Sequence, residues 1–329
     1  MNVLFKDLRI RYLFICIFVT FAFTCFIGIA PLSIDECKCD VGDTPSKLAV
    51  VRARNNELKN SKHSLAILVP FRDRFDELLI FVPHMHKFLS TQNINYHIFI
   101  INQVDNYRFN RASLINAGFS EVQKDYDYIA MHDVDLLPMN NQLLYRYPAK
   151  EPHHIASPEL HPRYHYPTFV GGILLVNRDH FALVNGMSNK YWGWGLEDDE
   201  FYVRLKEAGL GVSRPQNVTT GTHNTFKHIH DRNRRKRDIT KCFNQREVTR
   251  RRDRQTGLKD VSYKLLNVTK MTIAETPAIT VLDISLNCDK SVTPWCECSK
   301  SDTPKVSSAK EVKKTKKSAI NKLQTRVSI

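Results

Sequence analysis

From residue 65 the chain alternates short apolar runs with longer amphipathic stretches. LAILV at 65–69 ends at Pro70 and predicts a buried strand, as do YHIFII at 96–101 and YDYIAM at 126–131. Between them, 73–92 and 111–124 have helical spacing, with Pro83 expected to kink or divide the first. A later strand is expected at 169–176, with Gly171 and Gly172 inside it, a helix at 197–208 stopped by Gly209, and a last strand at 225–229. Strand, helix, strand, helix, strand predicts an α/β domain whose sheet starts parallel. In such sheets ligands sit beyond the carboxyl ends of the strands. That location gathers segments 70–74, 103–111 and 132–138, bringing Arg72, Arg74 and Arg111 beside Asp133 and Asp135.

Ahead of this domain, residues 12–30 contain no charged side chain. As a helix they would be roughly 28 Å long, enough to cross a bilayer. Lys6, Arg9 and Arg11 precede the stretch, and Asp35 and Glu36 follow it. The positive-inside rule then predicts a single-pass type II protein: cytoplasmic tail 1–11, membrane anchor 12–30, stem 31–63, luminal domain 64–300 and basic tail 301–329. The tail, rich in Lys and Ser, is expected to lack a fold. Eight cysteines suit an oxidising lumen. The spacing of Cys296 and Cys298 is tighter than usual zinc pairs, which favours disulfides. Pairing stays open, with Cys288–Cys296 and Cys242–Cys298 as the working arrangement. Asn217 and Asn267 each begin a glycan sequon.

The net charge of +14 is local. Residues 227–254 carry +8 and residues 305–329 carry +7, so the remainder is near neutral. A basic nucleic-acid-binding fold is therefore not expected.

Three motifs carry candidate chemistry. Asp133 and Asp135, two apart after a strand, can face one way and hold a metal bridging to a diphosphate; an acidic turn at a strand end is the plainer reading. His228 and His230 repeat that spacing, and one carboxylate with two imidazoles suits Mn²⁺, Fe²⁺ or Zn²⁺ better than Ca²⁺. WGWGLEDD at 192–199 puts two tryptophans on a glycine-hinged turn before three acids at a helix start. The helix dipole alone would favour acids there, but aromatic walls beside carboxylates also hold sugars.

PFRDR at 70–74, FNRASLINAGF at 109–119, HDVDLLP at 132–138, FVGG at 169–172 and WGWGLEDDE at 192–200 together resemble the animal β-1,4-galactosyltransferase family over roughly residues 64–240. The histidine pair at 228 and 230 resembles the members that act on xylose. The resemblance implies a GT-A glycosyltransferase fold, a mixed central sheet flanked by helices. It further implies UDP-galactose as donor, Mn²⁺ as cofactor, a xylosylated proteoglycan core protein as acceptor and a Golgi location. Carried over by position, Asp135, His228 and His230 would ligate the metal. Pro70, Arg72, Arg74, Phe109, Arg111, Asp133, Val134 and Glu197 would bind UDP-galactose, with Phe109 stacking the uracil and Asp133 on the ribose. Asp198 would be the base. Tyr164, Tyr166, Trp194, Leu196, Asp198 and Asp199 would form the acceptor pocket, Asp199 with Glu197 fixing galactose and acceptor. The basic run at 232–237 would be a lid, although an acidic-acceptor patch or a processing site would use the same residues. Transfer to N-acetylglucosamine, or sugar binding without chemistry, are the competing readings.

Overall fold

The computed structural model describes residues 19–20, 38–41, 62–231, 235–299 and 302. The chain divides into two units, Met1–Lys38 and Cys39–Ile329. In the first, Val19 and Thr20 are helical, and the rest of the expected anchor lies outside the described residues. Among the described residues no helix is long and apolar enough to cross a membrane.

Among its described residues the second unit is built on a mixed eight-stranded sheet with helices packed on it. Its strands are β1 (Lys38–Val41), β2 (Ser64–Phe71), β3 (Asn95–Gln103), β4 (Tyr128–His132), β6 (His153–His154), β7 (Ile173–Asn177), β9 (Tyr263–Thr272) and β10 (Ile279–Leu286), in the order β1-β9-β10-β3-β2-β4-β7-β6. A separate two-stranded ribbon pairs β5 (Leu136–Pro138) with β8 (Phe226–His228). The helices are α1 (Phe75–Leu89), α2 (Arg111–Val122), α3 (Arg178–Leu183), α4 (Glu197–Glu207) and the single turn α5 (Gln245–Val248).

β2 lies at the centre, parallel to β3 on one side and β4 on the other. Seven of its eight residues are buried, as a strand covered on both faces requires. The chain leaves β2 for β3 and then crosses to β4, so the crevice beyond Phe71, Gln103 and His132 is a topological switch point. α2 is fixed over this sheet by Asn110, whose side chain caps it by accepting from the Ser113 amide at 2.9 Å. Gly118 lets that helix approach: a Cβ there would lie 2.8 Å from Ile101 Cδ1.

Several expectations change. α1 is not divided at Pro83. The carbonyl that loses its partner belongs to Leu79, 40% exposed, where water can serve it. Gly171 and Gly172 precede β7 instead of lying within it. Gly172 has φ +76, a left-handed conformation that interrupts extended chain. No strand was expected after 229, yet β10 inserts parallel to β3 and antiparallel to β9. Among the described residues the disulfides are Cys242–Cys298 and Cys288–Cys296, the working arrangement.

Candidate active site

A cleft of about 610 Å³ opens at the switch point. Pro70, Arg72, Arg74, Phe109, Arg111, Asp133, Val134, Asp135, Tyr164, Tyr166, Trp194, Leu196, Glu197, Asp198, Asp199 and His228 all line it. His230 is not part of that lining, but it touches Asp135 and Arg74 from behind.

One end of the cleft is set by the ribbon. β5 and β8 place Leu136 opposite His228, and the Ile229 amide donates to the Asp135 carbonyl at 2.9 Å. These bonds hold the two imidazoles beside one carboxylate, with His228 Nε2 3.9 Å from Asp135 Oδ1 and His230 Nδ1 3.4 Å from Oδ2. Burial alone would push Asp135 up, but the His230 hydrogen bond, His228 and Arg74 hold it down at about 2. Burial pushes His228 down to about 4. An ionised carboxylate and a neutral imidazole are the protonation states a metal asks for. His230 Nε2 is buried without a hydrogen-bond partner, while its Nδ1 faces Asp135 and Arg74. Among the described residues no three such groups stand preassembled around one metal position. Arg74 lies among them, with Nη1 2.7 Å from His230 Nδ1 and 3.3 Å from Asp135 Oδ2. The donor set therefore fits a borderline divalent ion such as Mn²⁺ once Arg74 moves.

Asp133 does not join that set. The 132–136 segment turns after β4, and Asp133 instead accepts from Arg111 Nε at 2.8 Å. The carboxylates at 133 and 135 thus diverge, because each has found a different arginine. Arg72 is also committed: its nitrogens donate to the carbonyls of Gln103, Asp105 and Tyr107 at 2.6–3.2 Å, bracing the loop before Phe109.

At the other end, α4 begins with Glu197, Asp198, Asp199 and Glu200 in its first turn. Glu200 is drawn away by Arg204 and Arg252, leaving three acids for the cleft. Leu196 takes φ +76 to bend the chain into the helix, a strained conformation for a non-glycine residue. Burial, then Glu197 and Asp199, push the Asp198 carboxyl up to about 8, while Arg111 opposes them. Burial also raises Glu197 against the pull of Arg111. Tyr166 hydrogen-bonds to Asp199.

The aromatic wall is open to solvent: Trp194 is 44% exposed, Leu196 39% and Tyr166 38%. Phe169 is its hub, with ring centroids 5.0 Å from Tyr164 and 5.5 Å from Tyr166. The glycine-hinged turn is pinned, not loose. Gly193 and Trp194 amides donate to the carbonyls of Phe109 and Asp238 at 2.8 Å, and a Cβ on Gly193 would strike Arg108.

Sequence reasoning did not single out Arg237 or Lys241. Arg237 lies over the Trp194 ring at 4.7 Å and donates to the Tyr164 hydroxyl at 2.8 Å, while Lys241 Nζ donates to the Trp194 carbonyl at 3.1 Å. The basic run was visible, but nothing in it distinguished the residue that reaches the tryptophan. Asn217 is exposed, and the Asn267 side-chain amide donates to Thr269 Oγ1 at 2.9 Å. Residues 232–234 of the basic run lie outside the described residues.

The chain is similar to known proteins over most of its length. Residues 49–148 match the N-terminal region of glycosyl transferase group 7, and residues 151–229 match the N-terminal domain of galactosyltransferase. The chain is 56% identical over 295 residues to β-1,4-galactosyltransferase 7 of Drosophila melanogaster, covering 84% of this chain and 91% of that one. It is 47% identical over 245 residues to the xylosylprotein 4-β-galactosyltransferase of Caenorhabditis elegans, covering 73% and 84%. It also resembles the crystal structure of a mutant Drosophila β-1,4-galactosyltransferase 7 in complex with manganese, UDP-Gal and xylobiose. That match has a TM-score of 0.71 and 63% identity, covering 72% of this chain and all of that one.

Proposed function

The chain belongs to the β-1,4-galactosyltransferase family, and from that premise we propose that it moves galactose from UDP-galactose to the 4-hydroxyl of xylose on proteoglycan core proteins, with Mn²⁺ as its metal. One observation carries the reading: a single cleft has the Asp135 carboxylate and the His228 imidazole at one end, with His230 against that carboxylate from outside the lining, and a high-pKa carboxylate, Asp198, at the other. The first set suits a metal–diphosphate, the second an acceptor hydroxyl.

The reaction is an inverting, in-line displacement. The acceptor hydroxyl oxygen bonds to galactose C1 as the bond from C1 to the UDP oxygen breaks. Asp198 takes the hydroxyl proton, and UDP leaves with the bonding pair. A base near the operating pH contributes about 10²–10⁴-fold. Mn²⁺, when bound, neutralises the charge gathering on the diphosphate. Asp135, His228 and His230 would hold it. Phe109 stacks the uracil, Arg111 and Arg74 hold UDP, Asp133 meets the ribose, and Pro70 and Val134 shape the floor. Glu197 and Asp199 fix galactose and acceptor, while Tyr164, Tyr166, Trp194 and Leu196 wall the xylose, Arg237 buttressing Trp194.

We assign the chain to the Golgi membrane as a type II protein: tail 1–11, anchor 12–30, stem 31–63, luminal catalytic domain 64–300 and basic tail 301–329. The uncharged stretch 12–30 and the two disulfides support this. Asn217, being exposed, is the more available glycan site. The test is transfer from UDP-galactose by the full chain in detergent, with a β-xyloside or N-acetylglucosamine as acceptor, with Mn²⁺ or chelator. Mn²⁺-dependent transfer to the xyloside is expected. Transfer to N-acetylglucosamine alone would overturn the acceptor, and binding without transfer to either would overturn the enzyme.

A further inference from the structure

The first turn of α1 carries a carboxylate that the proposed chemistry leaves unused. Glu77 is 6% exposed. Its Oε1 lies 3.3 Å from Arg74 Nη1 and 3.4 Å from Arg235 Nε, while its Oε2 is buried without a hydrogen-bond partner. Arg74 Nη1 is at the same time 3.3 Å from Asp135 Oδ2 and 2.7 Å from His230 Nδ1. That nitrogen donates to both carboxylates, and His230 Nδ1 can accept from it only in the tautomer that carries its proton on Nε2.

A guanidinium and a divalent cation cannot both use the lone pairs of Asp135 and His230. Two cations on one carboxylate repel, and each would deprive the other of its ligands. When a metal takes them, the acceptor left to Arg74 is Glu77. Its idle Oε2 offers the second oxygen that a two-bonded arginine–carboxylate pair requires.

Resting on the metal site proposed above, we infer that Glu77 is a positioning residue. It takes over the Arg74 guanidinium as a divalent cation takes Asp135 and His230, and so sets how tightly that cation binds. The displaced arginine stays at the cleft, tethered near where the diphosphate would lie, instead of swinging into solvent.

The experiment is Mn²⁺ binding to the full chain in detergent, without nucleotide, read from the loss of the free Mn²⁺ electron paramagnetic resonance signal. Arg74→Met removes the competing cation and is expected to tighten Mn²⁺ binding. Glu77→Gln is expected to weaken it by about tenfold in the parent, the scale of one charge-assisted hydrogen bond, and to change nothing in the Arg74→Met background. Unchanged binding in Glu77→Gln overturns the inference. So does an equal loss in both backgrounds, which would mean simple attraction between the Glu77 carboxylate and the metal. Should Glu77→Gln not fold, Glu77→Asp keeps the charge, shortens the reach and is expected to show the same background dependence. Asp135→Asn separates the two readings. Mn²⁺ binding that survives it overturns the metal site itself, whereas its loss there, with Glu77→Gln silent, overturns only the role of Glu77.

Discussion

Replacing Asp198 by Asn is expected to make the protein nearly inactive and more stable at once. Asp198 moves from an ordinary 3.8 to about 8 because burial, Glu197 and Asp199 disfavour its charge. The folded chain therefore holds this proton more tightly than the unfolded chain does. The Asp198 contribution to wild-type stability is fullest below pH 3.8 and is lost as pH rises through about 8. At about 1.4 kcal/mol per unit, the shift sets a ceiling of roughly 5–6 kcal/mol. Relaxation of neighbouring acids and entry of water reduce this, and we expect a gain of about 1–3 kcal/mol at pH 8 for the Asn variant. For a chain of this size that raises Tm by roughly 2–4 °C per kcal/mol. The assay is thermal unfolding of the metal-free full chain between pH 4 and pH 8, with turnover measured on a β-xyloside. The two melting curves should coincide near pH 4 and separate as pH rises. Turnover should fall about 10²–10⁴-fold while UDP-galactose still binds. A variant that melts with the parent at pH 8 would refute the crowded-charge account; turnover within tenfold of the parent would refute the base.

Arg111→Met removes the cation that opposes the rise of Asp198, so the rising limb of turnover against pH should move to higher pH, and Arg111→Lys should restore it toward the parent position. A pH–rate profile of the three proteins checks this. Gly171→Ala places a Cβ 2.4 Å from Asp198 Oδ2 and 2.7 Å from the Phe169 ring; kcat should drop by about tenfold or more, with donor binding kept, as steady-state kinetics would read. Opening Cys242–Cys298 with serines frees a 56-residue separation in the unfolded chain and should cost roughly 3–5 kcal/mol in denaturant unfolding.

The parts legible in the sequence were those written in local pattern. The runs at 65–69 and 96–101 declare themselves because β2 and most of β3 are buried on both faces, leaving few polar positions, His97 among them, to confuse the period. β9 escaped notice because one face is solvated and Lys264, Asn267 and Lys270 break its apolar character. β10 has a readable alternation in ITVLDISL, but its place beside β3 is a long-range fact that no local pattern encodes. The same distinction holds in the cleft. His228 and His230 could be singled out by spacing, yet their delivery to Asp135 depends on the β5–β8 ribbon, which spans some ninety residues of chain. Arg72, expected to bind the donor, lines the cleft and also braces the loop before Phe109, a second role set by backbone carbonyls 31 to 35 residues away.

The two ends of the cleft are best understood as one electrostatic arrangement. Asp135 and Asp198 are the same side chain in the same crevice, yet one sits at about 2 and the other at about 8. Both are penalised by burial; what separates them is the company each keeps. Asp135 faces two imidazoles and an arginine, so its charge is favoured and it is ready to meet a cation. Asp198 faces Glu197 and Asp199, so its proton affinity is lifted into the range where a base both stays available and takes a proton readily. Arg111, bound to Asp133 and felt by Glu197 and Asp198, keeps the acidic end from becoming too basic to ionise. Swapping the partners would swap the roles. A cation beside Asp198 would leave it a poor base, and an acid beside Asp135 would leave it a poor ligand. The division of labour therefore lies in the neighbours, and a variant that alters Glu197 or Arg111 should shift the proton affinity of Asp198 with that side chain itself unchanged.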